Sequence, residues 1–275
     1  MTASHGIASA RIISVMSHRF SFWVDAFGCV LQLSSSSEQA RGVLDRYIFP
    51  GLPRASSWPQ KPDADIAIEE DGAEFHLLRA SAVVASATRP EELVPELIHH
   101  VDEAVVAAMR GRYAVHAGVV QVGESAILLP GMTHAGKSSL VAALLERGAT
   151  YFSDEYAVLD GEGLVHPYPR PLLVRNGTPE QVPKLAETYG AYTSMAPARV
   201  GSIMALAFHP EEGWRIRPVP QSAGVMILLQ NTPHVLAESP ALLGVLQKAA
   251  AGARCWQGYR GDAADAAGEI LRLVE

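Results

Sequence analysis

The residues of this chain best suited to chemistry lie at positions 131–138, where the sequence reads Gly-Met-Thr-His-Ala-Gly-Lys-Ser. Two glycines, a lysine and a hydroxyl at this spacing match a phosphate-binding P-loop. The glycines allow the backbone N–H groups to form a concave nest for phosphate oxygens. Lys137 brings a cation to the β- and γ-phosphates, and the hydroxyl of Ser138 can ligate Mg²⁺. We therefore expect a nucleotide to contact Gly131, Thr133, His134, Ala135, Gly136, Lys137, Ser138 and Ser139.

A pair of acidic residues follows the P-loop, about twenty positions further along the chain. Residues 150–152 predict a short strand, which ends in Ser153, Asp154 and Glu155. Phosphoryl transfer needs a metal ion and a carboxylate that orients or deprotonates the acceptor hydroxyl, and two adjacent acids can divide these tasks. The alternative, an exposed turn that carries two charges, stays open at this point.

The flanking sequence predicts elements that would position these groups. Residues 125–129 form an apolar run typical of a buried strand, and residues 137–147 predict a helix. A helix that starts at the lysine directs its positive end toward the phosphates. The acid-bearing strand follows this helix, so the acids and the P-loop can meet at the carboxyl edge of one sheet.

The composition excludes several classes of protein. The chain has 275 residues, is 48% hydrophobic and carries a formal net charge of −7. Its length and apolar content predict a folded protein, and its acidic balance argues against a general nucleic-acid surface. The longest apolar runs are too short to span a bilayer, and residues 1–10 lack a secretory signal pattern, so we expect a cytoplasmic location without membrane contact. Cys29 and Cys255 have no metal-ligand spacing, so we expect two buried, reduced thiols.

The pattern of elements divides the chain near position 90. Residues 1–90 are β-rich and include a hairpin in which residues 66–68 face residues 74–78 across Asp71-Gly72. Residues 91–275 begin with a helix that runs to about position 110. After the acid pair we expect strands at 203–208 and 225–229, a helix at 239–251, a strand at 254–259 and a helix at 263–274. This order predicts an α/β domain with a β-rich N-terminal region.

The region around these motifs resembles the catalytic domain of bacterial HPr kinase/phosphorylase. The resemblance lies in His-Ala-Gly-Val-Val at 116–120, the P-loop, Leu-Glu-Arg-Gly-Ala at 145–149, and the acids that follow Ser153. It covers residues 110–160 well, and the remainder only in the order of elements. It implies a P-loop fold of the HPr-kinase/PEP-carboxykinase type, with ATP and Mg²⁺ as cofactors.

The same resemblance implies roles for individual residues. Lys137 would bind phosphate, Ser138 and Glu155 would hold the metal, and Asp154 would accept the proton of the acceptor serine. His116 would tune the charge and orientation of that aspartate. Arg175, or Arg170 beside it, would neutralise charge on the phosphoryl group.

Departures from the family pattern shape the functional hypothesis. Glu155 replaces an aspartate, His134 replaces a glycine, and the downstream glycine-rich signature survives at most as a remnant at 172–177. The chain also lacks a recognisable regulatory N-terminal domain of that family, which makes it similar to shorter kinases of peptide-modification clusters, including those that phosphorylate a serine of lasso-peptide precursors. The resembled family forms hexamers, so a homo-oligomer is a further implication.

The leading hypothesis is an ATP-dependent kinase that phosphorylates a serine of a protein or peptide, such as a ribosomal peptide precursor, which the β-rich N-terminal region would dock. Two alternatives stay open. One is a regulatory nucleotide-binding module without catalysis, and the other is an ATPase or a kinase of small metabolites.

Overall fold

A computed structural model of the protein describes residues 19–49, 51–55, 61–131, 136–175, 180–237 and 239–274. The chain is a mixed α/β protein that forms two compact units, residues 1–105 and 106–275. Each unit has its own sheet, and the two are described separately below.

The first unit is built on one six-stranded sheet. Its elements in chain order are β1 (Phe20–Ala26), β2 (Cys29–Ser35), α1 (Glu38–Tyr47), β3 (Arg54–Ala55), β4 (Ala64–Asp71), β5 (Glu74–Arg79), β6 (Ala82–Ala87), a 3-10 turn (Pro90–Leu93) and α2 (Val94–Ala108). The strand order is β3-β1-β2-β4-β5-β6, and β2 and β4 are parallel. The predicted hairpin is confirmed, since Ile68 pairs with Leu77 across the turn.

Helix α1 was not predicted from the sequence. The helix begins because the Ser37 side chain accepts a hydrogen bond from the Ala40 N–H, and Glu38 lies in the first turn. Its buried side chains include Ala40, Val43 and Leu44, so one face of the helix packs into the first unit.

The division between the two compact units falls near the end of α2, between residues 105 and 106, whereas the sequence predicts a domain boundary near position 90. The Cys29 thiol donates to the Ala104 carbonyl at 3.4 Å, and Arg79 pairs with Glu103. These contacts tie the helix to the first unit. The predicted helix itself is present, with the 3-10 turn as its first residues.

The second unit is built on an eight-stranded sheet. Its elements are β7 (Arg112–Val122), β8 (Ser125–Pro130), α3 (Lys137–Leu145), β9 (Thr150–Ser153), β10 (Tyr156–Asp160), β11 (Val165–His166), β12 (Leu172–Val174), β13 (Val182–Lys184), a 3-10 turn (Ala186–Tyr189), β14 (Arg199–Phe208), β15 (Arg215–Val219), α4 (Gln221–Gln230), α5 (His234–Ala237), α6 (Leu242–Ala250), β16 (Arg254–Arg260) and α7 (Ala263–Val274). The order is β11-β10-β7-β8-β14-β16-β15, β9 pairs with β7, and β12 and β13 form a separate ribbon. Strands β8, β14 and β16 are parallel, so their carboxyl ends share one edge.

Both faces of this sheet are covered by helices. Along β8, Ala126 and Leu128 belong to a core with residues of α4 and α6, whereas Ile127 and Leu129 belong to a core with residues of α3 and α7. This alternation follows from the two-residue period of a strand. Because both faces are buried, the strand sequence is continuously apolar rather than alternating.

One predicted strand is wrong. Residues 225–229 lie within helix α4, which follows Pro220 at its N-terminal cap. A short, wholly apolar run has no period that distinguishes a buried strand from a buried helix. The helix buries Gly224, Ile227 and Leu228 on one face.

The cysteines and the lengths of the helices bear on two predictions made from the sequence. Cys29 and Cys255 are both buried and free, as expected for reduced thiols. Within the described residues, no helix combines the length and apolarity that crossing a bilayer requires.

Candidate active site

The segment predicted to bind phosphate lies between β8 and α3, as the sequence predicted. Gly131 follows the last residue of β8, and Gly136 caps α3 with a left-handed backbone at φ 74°. That conformation is readily available only to glycine. Residues 132–135 lie outside the described part of the chain, so the contacts expected from Thr133, His134 and Ala135 stay predictions. Helix α3 begins at Lys137, so its N-terminus lies next to this loop.

Arg260 supports this loop, and sequence reasoning missed it. It ends β16 and is buried, and its Nη2 donates to the Gly136 carbonyl at 2.9 Å. A Cβ atom at Gly136 would collide with the guanidinium. The signal in the sequence was an arginine at the carboxyl end of a predicted strand. Its position near the loop follows only from the parallel pairing of that strand with β14.

The acid pair lies in a tight turn between β9 and β10. Ser153 ends β9, and its Oγ accepts from the N–H groups of Glu155 at 3.3 Å and Tyr156 at 3.2 Å. The Glu155 carbonyl accepts from the Ala117 N–H on β7 at 3.0 Å. The backbone of the turn is therefore held on both sides.

Asp154 points to the start of α3. The Ser138 hydroxyl donates to its Oδ2 at 2.8 Å, and the Tyr151 hydroxyl lies 3.3 Å from its Oδ1. Arg170 Nε lies 3.8 Å from the same Oδ1. The side chain of Asp154 is only 2% exposed, so this carboxyl is held among partners inside the protein.

Burial changes the acidity of Asp154. Desolvation and the neighbouring charge of Glu155 raise its pKa from 3.8 to about 7. The hydrogen bonds from Ser138 and Tyr151 and the charge of Lys137 oppose this rise without cancelling it. The carboxyl therefore changes its protonation state near neutral pH, which is the range in which a general base is effective.

Glu155 occupies a different environment. Its Oε2 lies 3.6 Å from Lys137 Nζ, and its Oε1 lies 3.3 Å from His116 Nδ1. Its side chain is 24% exposed, so it is more accessible than Asp154. The histidine predicted to lie near the aspartate therefore contacts the second acid.

His116 also links this cluster to the beginning of the loop. Its carbonyl accepts from the Gly131 N–H at 3.2 Å, and its own N–H donates to the Asn231 carbonyl at 2.8 Å. Two residues further along β7, a Cβ atom at Gly118 would lie 2.7 Å from Val141 Cγ2. The glycine of this His-Ala-Gly sequence thus allows α3 to pack closely on β7.

The structure distinguishes the two candidate arginines. Arg170 is buried beside Asp154, and burial lowers its pKa to about 9, which leaves the guanidinium protonated at neutral pH. Arg175 follows β12 with an exposed side chain. Ser139, the last predicted phosphate contact, also has an exposed side chain on α3.

The donor set suits a hard cation. The Ser138 hydroxyl and the carboxylates of Asp154 and Glu155 are oxygen ligands of the kind that Mg²⁺ prefers. The described residues contain no cluster of three or more His, Cys, Asp or Glu that could hold a metal by itself. Mg²⁺ in nucleotide sites usually takes one or two carboxylates together with phosphate oxygens, and these residues fit that arrangement.

A pocket of about 480 Å³ lies beside Gly131, at the carboxyl ends of β14 and β16. Sequence reasoning did not predict it. Its polar and loop residues are Gly131, Arg217, Gln230, Asn231, Gln257 and Tyr259. Ligands of open α/β sheets commonly bind at this edge. The pocket is large enough for one or two amino-acid side chains or a small ligand.

The described residues thus bring Lys137, Ser138, Asp154, Glu155 and His116 into one connected cluster beside the loop. The sequence of the chain matches no protein-family model, and it matches no curated protein.

Proposed function

We propose that this protein is a kinase that transfers the γ-phosphoryl group of ATP to a serine hydroxyl of a protein or peptide. The proposal includes a catalytic region of the HPr-kinase-like P-loop type in residues 91–275. The observation that carries it is the direct connection between loop and acids, in which Ser138 donates to Asp154 at 2.8 Å and Lys137 lies 3.6 Å from Glu155. An exposed turn with two solvated charges would not have these contacts.

The loop residues would bind and orient the donor. Lys137 would pair with the β- and γ-phosphates, and the N–H groups at the start of α3 would donate hydrogen bonds to phosphate oxygens. The negative charge of the phosphates would be neutralised by Lys137 together with a bound Mg²⁺. Ser138 and one or both acids would hold it.

The resemblance assigns the base role to Asp154. Its pKa of about 7 supports this assignment, because the carboxylate form can then take the serine proton near neutral pH. Arg170, beside the same carboxyl, would neutralise charge that develops on the transferring group.

The contacts favour a second division of labour between the acids. In P-loop enzymes the metal is held by the loop hydroxyl and an aspartate, and Asp154 is the acid bonded to Ser138. Glu155 is more exposed and lies beside His116, which could share or relay the serine proton. In this arrangement Asp154 would serve the metal and Glu155 would be the base.

The β-rich N-terminal region would dock the acceptor chain. Strand β6 lies at one edge of its sheet, has no charged residue, and exposes Val83 and Val84. Uncharged edge strands can pair with an extended peptide through main-chain hydrogen bonds.

The test is phosphate transfer from γ-labelled Mg-ATP to a pooled library of serine peptides, compared with Asp154→Asn and Glu155→Gln. Each variant should lower transfer at saturating Mg²⁺ by about a hundredfold or more. The variant of the metal-binding acid should also need more Mg²⁺ for half-maximal rate, whereas the variant of the base should not.

Matched controls are Asp71→Asn in the exposed hairpin turn and Glu162→Gln, which is exposed beside Lys248. Both should transfer phosphate like the wild type. Unchanged transfer in both acid variants would remove the acids from the mechanism. Tight ATP binding without transfer would favour a regulatory module, and release of free phosphate alone would favour an ATPase.

A further inference from the structure

His116 links the pocket at the carboxyl ends of β14 and β16 to the acid cluster. The backbone of His116 is hydrogen-bonded to two pocket residues, Gly131 and Asn231. Its side chain contacts Glu155, which in turn lies beside Lys137. The wall of the pocket is therefore linked by direct contacts to the residues proposed to act on the γ-phosphoryl group.

The chemistry of the pocket differs from that of the acid cluster. Its polar side chains are carboxamides, a phenol and one guanidinium, from Gln230, Asn231, Gln257, Tyr259 and Arg217. The described residues that line it include no Asp or Glu. Carboxamides both donate and accept, which suits peptide amides, and the guanidinium suits an anion.

Arg217 is positioned by its neighbour on the adjacent strand. Its Nη2 donates to the Gln257 Oε1 at 3.3 Å, and the two residues are paired in the β15–β16 ladder. A guanidinium has five N–H donors in a planar fork, and this bond uses one of them. Arg217 is exposed at the pocket wall, so its other donors are accessible to the carboxylate of a ligand.

We propose that this pocket binds the acceptor segment beside the serine and selects a peptide with an acidic residue there. The inference rests on the proposed function, because it treats the pocket as the acceptor side of the same site. The carboxylate of the flanking Asp or Glu would pair with Arg217, and the carboxamides would bind the peptide backbone. This arrangement would bring the serine hydroxyl toward the cluster of Glu155 and His116.

The experiment measures binding independently of transfer. Two fluorescent serine peptides, one with glutamate on both sides of the serine and its glutamine twin, are titrated with the full chain in Mg²⁺ and ADP. We expect the acidic peptide to bind at least about tenfold more tightly to the wild type, since charge-assisted pairs are stronger than neutral hydrogen bonds. In Arg217→Ala this difference between the peptides should vanish.

The matched control is Arg215→Ala, two residues earlier on the same strand, where the arginine pairs with Glu212 outside the pocket. This variant should keep the preference for the acidic peptide. Equal binding of the two peptides to the wild type, or a preference that persists in Arg217→Ala, would overturn the inference. Labelled ATP then separates the two proposals. Equal transfer to both peptides would support the kinase proposal and contradict the pocket assignment. Charge-selective binding without transfer would support the pocket assignment and contradict the kinase proposal.

Discussion

The two sides of strand β8 in the second unit differ in charge, in burial and in openness to solvent. On the β7 side, Lys137, Asp154 and Glu155 form a charged cluster in which Asp154 is buried and each side chain has a specific partner. On the β14 side lies an open pocket lined mainly by neutral polar groups, with Arg217 as its cation. Both sides share the loop that begins at Gly131.

This difference indicates how the rate of phosphate transfer and the selectivity for the acceptor can depend on separate groups. Buried, pre-organised charges can stabilise a developing charge strongly, because their partners need little reorganisation. An open polar pocket instead discriminates between ligands by a few hydrogen bonds and one ion pair. We therefore expect substitutions on the β7 side to change rate and those on the β14 side to change the choice of acceptor.

The largest effect should come from Lys137→Met. Removal of this cation should lower phosphate transfer about a thousandfold, because the phosphates lose their main protein charge. The preference for the acidic peptide should persist, as measured by the titration described above. If that preference disappears together with transfer, the two sides do not act separately.

A second test uses the pH dependence of stability in the nucleotide-free protein. Because the folded-state pKa of Asp154 is raised to about 7, the folded chain keeps a proton that the unfolded chain releases. The unfolding free energy should therefore fall as pH rises from about 4 to about 7. Asp154→Asn lacks this group, so its stability relative to the wild type should increase by about 2–3 kcal/mol between about pH 5 and about pH 8.

Urea unfolding of both proteins at the two pH values measures this change. Asp71→Asn, in the exposed hairpin turn, should follow the wild type. A difference in unfolding free energy between Asp154→Asn and wild type that does not vary with pH would show that the carboxyl of Asp154 is not the source of the pH dependence.

The smallest effect should come from Arg260→Ala, which removes the bond to the Gly136 carbonyl. This positioning residue should affect the loop more than the chemistry, so KM for ATP should rise about tenfold with a smaller change in kcat. Arg260→Lys should restore part of the loss. Arg254→Ala, at the exposed start of the same strand, is the control and should bind ATP like the wild type. A fall in kcat at unchanged KM would place Arg260 in the chemical step instead.

Several elements could be predicted because their signals are local. The P-loop spacing placed the end of β8 and the start of α3, and the helix at 263–274 has a clear apolar period. The run at 225–229 failed because only its packing, with Ile227 and Leu228 buried on one face, distinguishes a helix from a strand.

The site was predictable in part. Its acids, lysine and histidine are marked by motifs, but the contact of His116 with Glu155 depends on the register between β7 and β10, which pairs His116 with Tyr156. The sequence offered both Arg170 and Arg175, and only the fold shows that Arg170 lies beside Asp154. The docking role of the N-terminal region and the contacts of residues 132–135 stay predictions.

By itself, the sequence determined the chemical inventory of this protein: a loop suited to phosphate, two adjacent acids and a histidine. Such features are fixed by residue type and short spacing, which the chain carries locally. The tertiary structure decided the acidity of Asp154, the support of Gly136 by Arg260, and the pocket around Arg217. These properties depend on desolvation and on distances between segments far apart in the chain, and sheet pairing alone brings those segments together.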